Sequence, residues 1–315
     1  MVNTMGIKKF ISKNQLGLVL CNKKFSELTT IKVGGLITNL YYPTSIEHLL
    51  SVINYLQKRK QRYFIIGNGS NIVASDKKFK HLVISGKHLI KSIEFYDDNF
   101  VVSAFMDMRI VIAKLVEYQI STLTDLAGIP GTIGGAIVMN AGANNSYISD
   151  NLLWVKYLDC GLLKVSSRKD LKFGYRNSPF KKENIVILEA CFKTIKDNET
   201  IFKYRNILEL RRKKHPLNYP NCGSIFKNLK DIKAYEVIQK INLMDYKIGG
   251  AKFSDLHSNF IVNYDNAKAI DVFSLILLAK DKALKQEDIM LEEEVILLNF
   301  PFKKMELKQG KNKWQ

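Results

Sequence analysis

The density of glycine in one short segment constrains this chain more than any other feature of its sequence. Five glycines and several alanines lie within the sixteen residues 128–143. Because glycine has no side chain, the backbone at these positions can approach a flat or charged ligand closely. The apolar residues Ile129, Ile133 and Val138 argue against a flexible linker. A glycine-packed turn between a sheet and a helix remains the alternative interpretation of this segment.

Earlier in the chain, residues 67–71 form another glycine-rich loop, which directly follows the predicted strand Tyr63–Ile66. We call residues 67–71 the first glycine loop and residues 128–143 the second. Its backbone amides can approach a phosphate without obstruction by side chains. It does not fit the Rossmann fingerprint, because the third glycine position is Ile72 and residues 74–80 do not predict a helix. No Walker A sequence is present. Alone, the loop could equally be a tight hairpin turn, but two such loops about sixty residues apart favour a long ligand such as a dinucleotide.

Length and charge narrow the class of protein. A chain of 315 residues fits two or three domains. The formal net charge of +18 is compatible with several anionic partners, but the lysines are spread through every segment and no nucleic-acid-binding motif organises them. We therefore expect no nucleic-acid partner. No stretch approaches the about 20 apolar residues of a spanning helix, and the apolar run 16–20 is too short for a signal peptide, so we expect no membrane insertion and a cytoplasmic location.

The cysteines do not form a metal-binding or disulfide pattern. Cys21, Cys160, Cys191 and Cys222 stand far apart, without a CxxC pair or a histidine at ligand spacing. The sequence predicts reduced, mostly buried thiols and no metal site.

Hydrophobic periodicity predicts a mixed α+β chain. An apolar stripe predicts a helix that opens at Thr44, whose spacing to Glu47 suits a capping box. The polar stretch 196–200 is a predicted domain boundary. The predicted strands are 39–42, 63–66, 82–84, 92–95, 100–104, 154–159, 162–165, 185–192, 259–262 and 295–300, and the further predicted helices are 109–118, 201–214, 235–241 and 267–284.

Three local patterns carry chemical groups. Arg176 follows Tyr175 and could hold a carboxylate or phosphate, although an ordinary surface arginine fits equally well. Ser224 lies in residues 220–228 beside a glycine, and no histidine is paired with it in the pattern, so a turn or capping serine is the simpler interpretation. The acidic run 292–294 precedes an apolar strand, and we expect only one of its three carboxylates to point inward.

Seven ordered motifs together resemble the UDP-N-acetylenolpyruvoylglucosamine reductase family, over nearly the whole chain from Thr29 to Leu298. They comprise residues 29–35, 66–71, 128–143, 175–178, 222–228, 257–263 and 291–295. The short spacing between the second glycine loop and Tyr175 resembles the shorter class of these enzymes, which lacks an extra tyrosine-bearing loop. Two departures stand out: Leu256 where a lysine commonly precedes the family's histidine, and Asp288 where a glycine is usual.

The resemblance implies a fold and a division of the chain. It implies an FAD-binding module of the vanillyl-alcohol-oxidase type with two subdomains, about 20–75 and 76–196, within residues 1–196. An α+β substrate-binding domain would follow at 197–294, and residues 295–315 would hold a last strand that returns to the first subdomain, plus a tail. We expect a monomer.

The resemblance also implies the ligands and the site. FAD would be bound non-covalently and NADPH would reduce it, so that UDP-N-acetylglucosamine enolpyruvate becomes UDP-N-acetylmuramate in peptidoglycan precursor synthesis. Arg176 would bind the substrate carboxylate, Ser224 would donate a proton, and Glu294 would be the third catalytic residue. Tyr175, Arg211 and Asn228 would contact the substrate. The implied cofactor-binding positions are Gly67, Asn68, Gly69, Ser70, Asn71, Gly128, Gly131, Thr132, Gly134, Gly135, Asn140 and Gly142.

Two questions stay open at this stage. We infer that Lys227 could activate the Ser224 hydroxyl, an alcohol of high intrinsic pKa. The rival assignment is another FAD-dependent oxidoreductase on the same scaffold. Many of those attach FAD covalently through histidine or cysteine, and neither residue occurs in the two loops.

Overall fold

A computed structural model describes residues 4–300 of the chain. Its α-helices are α1 (Thr4–Lys13), α2 (Ile46–Lys58), α3 (Met108–Glu117), α4 (Ile133–Met139), α5 (Thr200–Lys214), α6 (Ala234–Lys240) and α7 (Ala269–Glu287). Its strands are β1 (Leu18–Leu20), β2 (Lys23–Lys24), β3 (Leu36–Tyr42), β4 (Tyr63–Ile66), β5 (Ile72–Ala74), β6 (Phe79–Ser85), β7 (Ile93–Phe95), β8 (Asn99–Ser103), β9 (Gly142–Ala143), β10 (Ser146–Tyr147), β11 (Leu152–Asp159), β12 (Leu162–Ser167), β13 (Ile185–Lys193), β14 (Asn221–Ser224), β15 (Lys247–Ile248), β16 (Ala251–Phe253), β17 (Phe260–Asn263) and β18 (Ile296–Leu298).

The first sheet is mixed and carries the first glycine loop at its edge. It has the strand order β1, β3, β6, β4, with β2 paired to β3. The pairs β3·β6 and β4·β6 are parallel, and α2 makes the crossover between β3 and β4. The buried residues Leu49, Val52, Ile53 and Leu56 form the apolar stripe of α2. The predicted β-α-β unit is therefore confirmed, and its last strand ends directly at the glycine loop.

The second sheet is antiparallel, with the order β12, β11, β13, β8, β7. Its core includes Val111, Ile112 and Leu115 of α3 and Ile133 and Ile137 of α4. Helix α5 also packs on this core through Ile201, Tyr204, Ile207 and Leu208. The predicted boundary at 196–197 thus lies between this sheet and a helix that packs with it.

The third sheet is antiparallel, with the order β14, β17, β16, β15, and packs against α6 and α7. The last strand, β18, leaves this region and pairs in parallel with β5, directly after the first glycine loop. Ile31, Val33 and Val73 from the start of the chain join the core of the third sheet. Residues 301–315, the predicted tail, lie outside the described residues.

Two local predictions are wrong. The N-cap of α2 is Ser45, whose hydroxyl accepts a hydrogen bond from the backbone amide of His48 at 3.2 Å. Thr44 bonds instead to the His48 ring, at 2.9 Å from Nδ1. An N-cap must reach the amide two or three residues on, and Ser45 is the residue at that spacing. The thiols are also not mostly buried, because Cys21 and Cys160 are exposed while Cys191 and Cys222 are buried.

Candidate active site

The two glycine loops form one continuous surface. Ser70 Oγ of the first loop donates to the carbonyl of Pro130 in the second at 2.9 Å. Gly67 lies so close to Thr132 that a Cβ atom on Gly67 would be 2.7 Å from the threonine Oγ1. Segments about sixty residues apart in sequence are therefore adjacent in space, as a single long ligand requires.

Asp107 links the same two loops and was not found from the sequence. Its carboxylate accepts from Asn68 Nδ2 of the first loop at 2.8 Å and from Arg109 Nη2 at 2.6 Å. The next residue, Met108, donates its backbone amide to the carbonyl of Gly131 in the second loop at 2.9 Å. No sequence motif marks Asp107, because its partners come from separate segments.

The second glycine segment is a short helix with defined ends. Thr132 caps α4 by accepting from the amide of Gly135 at 3.2 Å. Asn140 ends the helix in the left-handed conformation, with a φ of 43°. Asn140 Nδ2 donates to the carbonyl of Gly174 at 2.8 Å, while its Oδ1 is buried without a hydrogen-bond partner in the described residues. The segment thus has defined ends, and through Asn140 it supports the turn carrying Arg176.

The glycines of the loops serve two different purposes. A Cβ on Gly69 would lie 2.2 Å from the carbonyl oxygen of Leu28, and one on Gly134 would lie 3.0 Å from the Ala104 Cβ. These two glycines are needed for packing within the protein. Gly135 is exposed, and among residues 4–300 a Cβ there would meet only Thr132 Oγ1, at 3.3 Å. Gly135 is therefore the position where a side chain would enter the space open to a ligand.

We expect Gly135→Val to yield a stably folded protein that binds FAD at least about tenfold more weakly, a loss of about 1.4 kcal/mol. Gly135→Ala should have a smaller effect because its side chain is smaller. Gly69→Val should instead lower the unfolding temperature, since it clashes with backbone. Flavin fluorescence titration and thermal unfolding measure the two effects. Undiminished FAD affinity in Gly135→Val would place the cofactor elsewhere.

Arg176 sits in a two-residue hairpin turn. Gly174 and Asn177 exchange backbone hydrogen bonds of 3.0 and 3.1 Å, and Arg176 has a φ of 51°. Its Nε donates to Glu294 Oε1 at 2.5 Å, and its Nη2 donates to the carbonyl of Gly142 at 3.1 Å. The turn thus presents the guanidinium to Glu294 at the edge of the second glycine segment.

Each of the three glutamates in the acidic run has a different cationic partner. Glu292 pairs with Lys227 at 2.5 Å, Glu293 with Lys280 at 2.6 Å, and Glu294 with Arg176. The exposed fractions of their side chains are 70%, 24% and 14%. The expectation that only one points inward is wrong, because the ion pair with Lys280 allows Glu293 to be partly buried too.

The electrostatics of Glu294 favour its neutral form more than is usual for a carboxyl. Burial raises the pKa of Glu294, while the charges of Arg176, Lys227 and Lys181 oppose that rise without cancelling it. The group can therefore exist as an ion pair or as a proton-bearing acid, depending on what else occupies the site.

Ser224 ends strand β14 and is half-buried. Beside it Gly223 has a φ of 78°, and no atom of the described part of the chain lies within 4 Å of where its Cβ would be. Within residues 4–300 the Ser224 side chain makes no hydrogen bond, so its hydroxyl is available to a ligand. The suggested pairing with Lys227 is not found: the Lys227 ammonium is bonded to Glu292.

Backbone hydrogen bonds bring these groups together from distant parts of the chain. The amide of Glu294 donates to the carbonyl of Ile225, next to Ser224, at 2.8 Å. Asn71 Nδ2 of the first glycine loop donates to the carbonyl of Glu294 at 3.1 Å. The pairing of β18 with β5 continues this contact, since the amide of Ile296 donates to the carbonyl of Asn71. Glu294 lies just before the last strand, and the pairing of that strand with β5 places it beside both the Ser224 segment and the first loop.

The three residues predicted to contact the substrate, Tyr175, Asn228 and Arg211, have different surroundings. The hydroxyl of Tyr175 accepts from the amide of Asn228 at 3.1 Å, which joins the Arg176 turn to the segment after Ser224. The side chain of Asn228 accepts from the amide of Ala234 and so holds its own loop. Arg211 lies against Gly128, and its buried Nε has no hydrogen-bond partner in the part of the chain described.

Two partly buried histidines lie near Arg211, and Nδ1 of one of them, His215, is 3.3 Å from the Arg211 carbonyl oxygen. The rings of His215 and His257 are stacked with centroids 5.4 Å apart. Burial, with the nearby charge of Arg211, lowers the pKa of His215 to about 4, so its ring is neutral at pH 7. Within residues 4–300 neither ring is hydrogen-bonded to Ser224, so neither is positioned to act as its base.

The two departures from the family pattern lie outside these contacts. Asp288 is the residue that ends α7, in the left-handed conformation with a φ of 52°. Glycine suits such a position best and aspartate tolerates it, so this change concerns the end of a helix. Leu256 is exposed, and its backbone amide bonds to Ser254 Oγ.

Comparison with known proteins agrees with this architecture. A sequence model described as an FAD binding domain matches residues 37–161, and one described as the C-terminal domain of UDP-N-acetylenolpyruvoylglucosamine reductase matches residues 215–298. Together with the paired glycine loops, the first match defines the chain as a flavin-dependent oxidoreductase with an FAD-binding module and an α+β domain that completes the site.

Proteins of similar sequence and structure identify the family. The UDP-N-acetylenolpyruvoylglucosamine reductase of Halalkalibacterium halodurans is 36% identical over 287 residues, covering 90% of this chain and 95% of that protein. The enzyme of the same name from Aquifex aeolicus is 35% identical over 289 residues, covering 89% and 95%. The crystal structure of the reductase from Thermus caldophilus matches with a TM-score of 0.75 at 26% identity, covering 90% and 98%. The chain belongs to the UDP-N-acetylenolpyruvoylglucosamine reductase family.

The residues present fit FAD. Glycines leave parts of the joined loops without side chains, Gly135 is exposed, and the buried Oδ1 of Asn140 lacks a partner in the described residues. The described residues hold no group of three or more His, Cys, Asp and Glu side chains that could bind a metal. In residues 4–300 we find no helix both long and apolar enough to cross a membrane.

Proposed function

We propose that Arg176, Glu294 and Ser224 carry out the family's reaction in this chain, the reduction of UDP-N-acetylglucosamine enolpyruvate to UDP-N-acetylmuramate with NADPH and FAD. The observation that supports this most directly is the Arg176–Glu294 ion pair, held beside both glycine loops and one hydrogen bond away from the Ser224 segment. The site therefore combines the anion-binding guanidinium of Arg176, the carboxyl of Glu294, whose protonation can change, and the Ser224 hydroxyl, which has no hydrogen-bond partner within residues 4–300.

Residues of the two glycine loops would hold the cofactor. The loop positions already named, from Gly67 to Asn71 and from Gly128 to Gly142, present backbone that FAD can approach closely. When bound, FAD would supply the hydride chemistry that reduces the enolpyruvyl group, with NADPH as the source of the electrons. The remaining steps belong to the protein's own side chains.

Arg176 binds the substrate carboxylate and stabilises the negative charge that develops when hydride adds. A guanidinium offers two parallel donors to a carboxylate, so it orients the substrate as well as attracting it. Since it is held in place before the reaction, this stabilisation requires no rearrangement as the charge appears. Tyr175, Arg211 and Asn228 are further substrate-binding positions in this proposal.

Substrate binding and the protonation of Glu294 are coupled in this mechanism. Without substrate, Arg176 donates to Glu294 and favours its ionised form. A substrate carboxylate that takes up Arg176 weakens this ion pair and adds a negative charge nearby. Both changes raise the pKa of Glu294 further, in the direction in which burial already shifts it. Glu294 then carries a proton and can donate a hydrogen bond to the enolate oxygen.

Ser224 completes the reaction as the proton donor. Hydride addition leaves the electron pair of the former double bond on the carbon that bears the ether oxygen and the carboxylate. Transfer of the Ser224 proton to that carbon forms the new C–H bond and yields the saturated lactyl ether. The resulting alkoxide must recover a proton from its surroundings. Lys227 and Lys181 contribute positive charge to this region, as their influence on Glu294 indicates.

The direct test is NADPH oxidation by the purified protein with and without UDP-N-acetylglucosamine enolpyruvate. We expect fast oxidation only when the nucleotide sugar is present, together with formation of the lactyl ether. NADPH oxidation that is unchanged by this substrate would overturn the proposal and favour a different FAD-dependent oxidoreductase.

We expect the Michaelis constants for both substrates to rise with ionic strength, by about threefold to tenfold between low and high salt. FAD, NADPH and a UDP-sugar all carry phosphates, and a net charge of +18 attracts them over a distance that salt shortens. Steady-state kinetics at several salt concentrations measure this. A flat response would mean that the lysines serve only as solvated surface.

We propose a domain division that follows the packing. The FAD-binding module would extend through α5, because α5 packs on the second sheet, and the substrate domain would begin near His215, where the family match begins. We propose a monomer, because residues of a single chain suffice to bring Arg176, Glu294 and the Ser224 segment together. Charged nucleotide substrates cannot cross a lipid bilayer unaided, which supports a cytoplasmic location.

A further inference from the structure

The end of helix α4 and the Arg176 turn are joined by three hydrogen bonds at alternate positions. Ser178 Oγ donates to the carbonyl of Val138 at 2.7 Å. Asn140 Nδ2 donates to the carbonyl of Gly174 at 2.8 Å, and Arg176 Nη2 donates to the carbonyl of Gly142 at 3.1 Å. The turn is therefore held on both sides of Arg176 by residues 138–142, the last part of the second glycine loop.

Ser178 is enclosed in protein and cannot be a substrate contact. The residue is 5% exposed, and its hydroxyl also accepts from the amide of Phe180 at 3.2 Å. Both of its hydrogen-bonding functions are thus used inside the fold. What the hydroxyl does is tie the chain directly after Arg176 to α4.

Arg176 needs such support because of its backbone conformation. A φ of 51° is sparsely populated by residues other than glycine and persists only where the surroundings enforce it. A turn that relaxed would redirect the guanidinium, and a displacement of about 1 Å can cost a large factor in rate.

We propose that Ser178 is a positioning residue for Arg176, which acts by fixing the turn to the cofactor-binding segment so that the guanidinium faces the substrate carboxylate. This inference rests on the proposed role of Arg176. It predicts that loss of the Ser178 hydroxyl affects the substrate step selectively, because NADPH oxidation by the flavin does not use Arg176.

The test compares Ser178→Ala with Thr122→Val. Thr122 is a matched control: it is buried, donates its hydroxyl to the carbonyl of Lys193 at 2.8 Å and accepts from the amide of Ile195 at 3.1 Å. None of the proposed site residues takes part in its bonds. Both variants lose the same kind of hydrogen bonds, so the purely structural cost is shared.

We expect Ser178→Ala to raise the KM for UDP-N-acetylglucosamine enolpyruvate about tenfold, equivalent to about 1.4 kcal/mol, and to lower kcat. The anaerobic rate of flavin reduction by NADPH should stay within about twofold of the wild type in both variants. Ser178→Cys keeps the size of the side chain with a weaker donor, and should give an intermediate KM. It also provides the measurement if Ser178→Ala does not fold.

Arg176→Ala distinguishes the proposed role of Arg176 from the inference about Ser178. If Arg176→Ala keeps full activity, the proposed function of Arg176 is wrong. If Arg176→Ala is inactive but the Ser178 variants behave like Thr122→Val, the role of Arg176 stands and the inference about Ser178 is overturned. Equal losses in the NADPH and substrate half-reactions of the Ser178 variants would also overturn it.

Discussion

Ser224→Ala should bind FAD and be reduced by NADPH at a near-normal rate, yet return electrons to the enolpyruvyl substrate about 10² to 10⁴ times more slowly. That range is the contribution of a positioned general acid. Its hydroxyl makes no hydrogen bond to the described residues, so the change removes a reacting group and leaves the local packing intact. Anaerobic stopped-flow recovery of the oxidised flavin absorbance, started by substrate, measures the effect.

Ser258→Ala is the matched control for this variant. Ser258 is a buried serine of the same domain whose hydroxyl donates to the carbonyl of Tyr235 at 2.8 Å. We expect that variant to lose some stability and to keep both half-reactions. If Ser224→Ala recovers its flavin absorbance as fast as the control, or loses its NADPH half-reaction equally, Ser224 is a turn residue and another group donates the proton.

Glu294→Ala should slow the substrate half-reaction by about 10² to 10³, the typical effect of removing one preorganised donor from a site of developing negative charge. Glu294→Gln should lose less, because its amide can still donate a hydrogen bond. Glu293→Gln is the control: Glu293 is adjacent and ion-paired to Lys280, but is not bonded to Arg176. Glu293→Gln should affect stability more than rate, and a rate loss as large as that of Glu294→Ala would contradict the assignment.

The pH dependence of the substrate half-reaction should follow from the protonation of Glu294. Burial raises the pKa of Glu294, and the mechanism requires its protonated form. The rate of the substrate half-reaction should therefore be highest below that raised pKa and fall as the pH rises through it. Glu294→Gln cannot ionise, so this fall at higher pH should be absent from its profile. A fall that persists in Glu294→Gln would assign the titration to another group.

Local patterns predicted the regular elements well and the short ones poorly. Strand β4 and the apolar stripe of α2 matched their predictions because periodicity over a few residues decides them. The strands β9, β10 and β15 are two residues long each, and no periodic pattern can identify a strand of that length. The N-cap of α2 was misplaced by one residue, since Thr44 and Ser45 are both good caps and they differ in that only Ser45 accepts from the His48 backbone amide, while Thr44 bonds to the His48 ring.

The sequence by itself determined the glycine loops, the chemistry available to them, and the motifs that identify the family. Glycine-rich loops, and a strand that leads into the first of them, depend on residues that are neighbours in the sequence. They can therefore be recognised from the sequence alone. Through the resemblance, the motifs also singled out Arg176, Ser224 and Glu294 as the residues to consider.

Only the tertiary structure decided how those residues meet. Arg176 and Glu294 are 118 positions apart, and Asn71 and Glu294 are 223 apart. Those contacts exist because β18 pairs with β5 and because the Arg176 turn is held on α4. The different burial of the three glutamates, the pKa shift of Glu294 and the enclosure of Ser178 all depend on which distant groups lie nearby. Local sequence does not encode that proximity separately, because packing of the whole chain produces it.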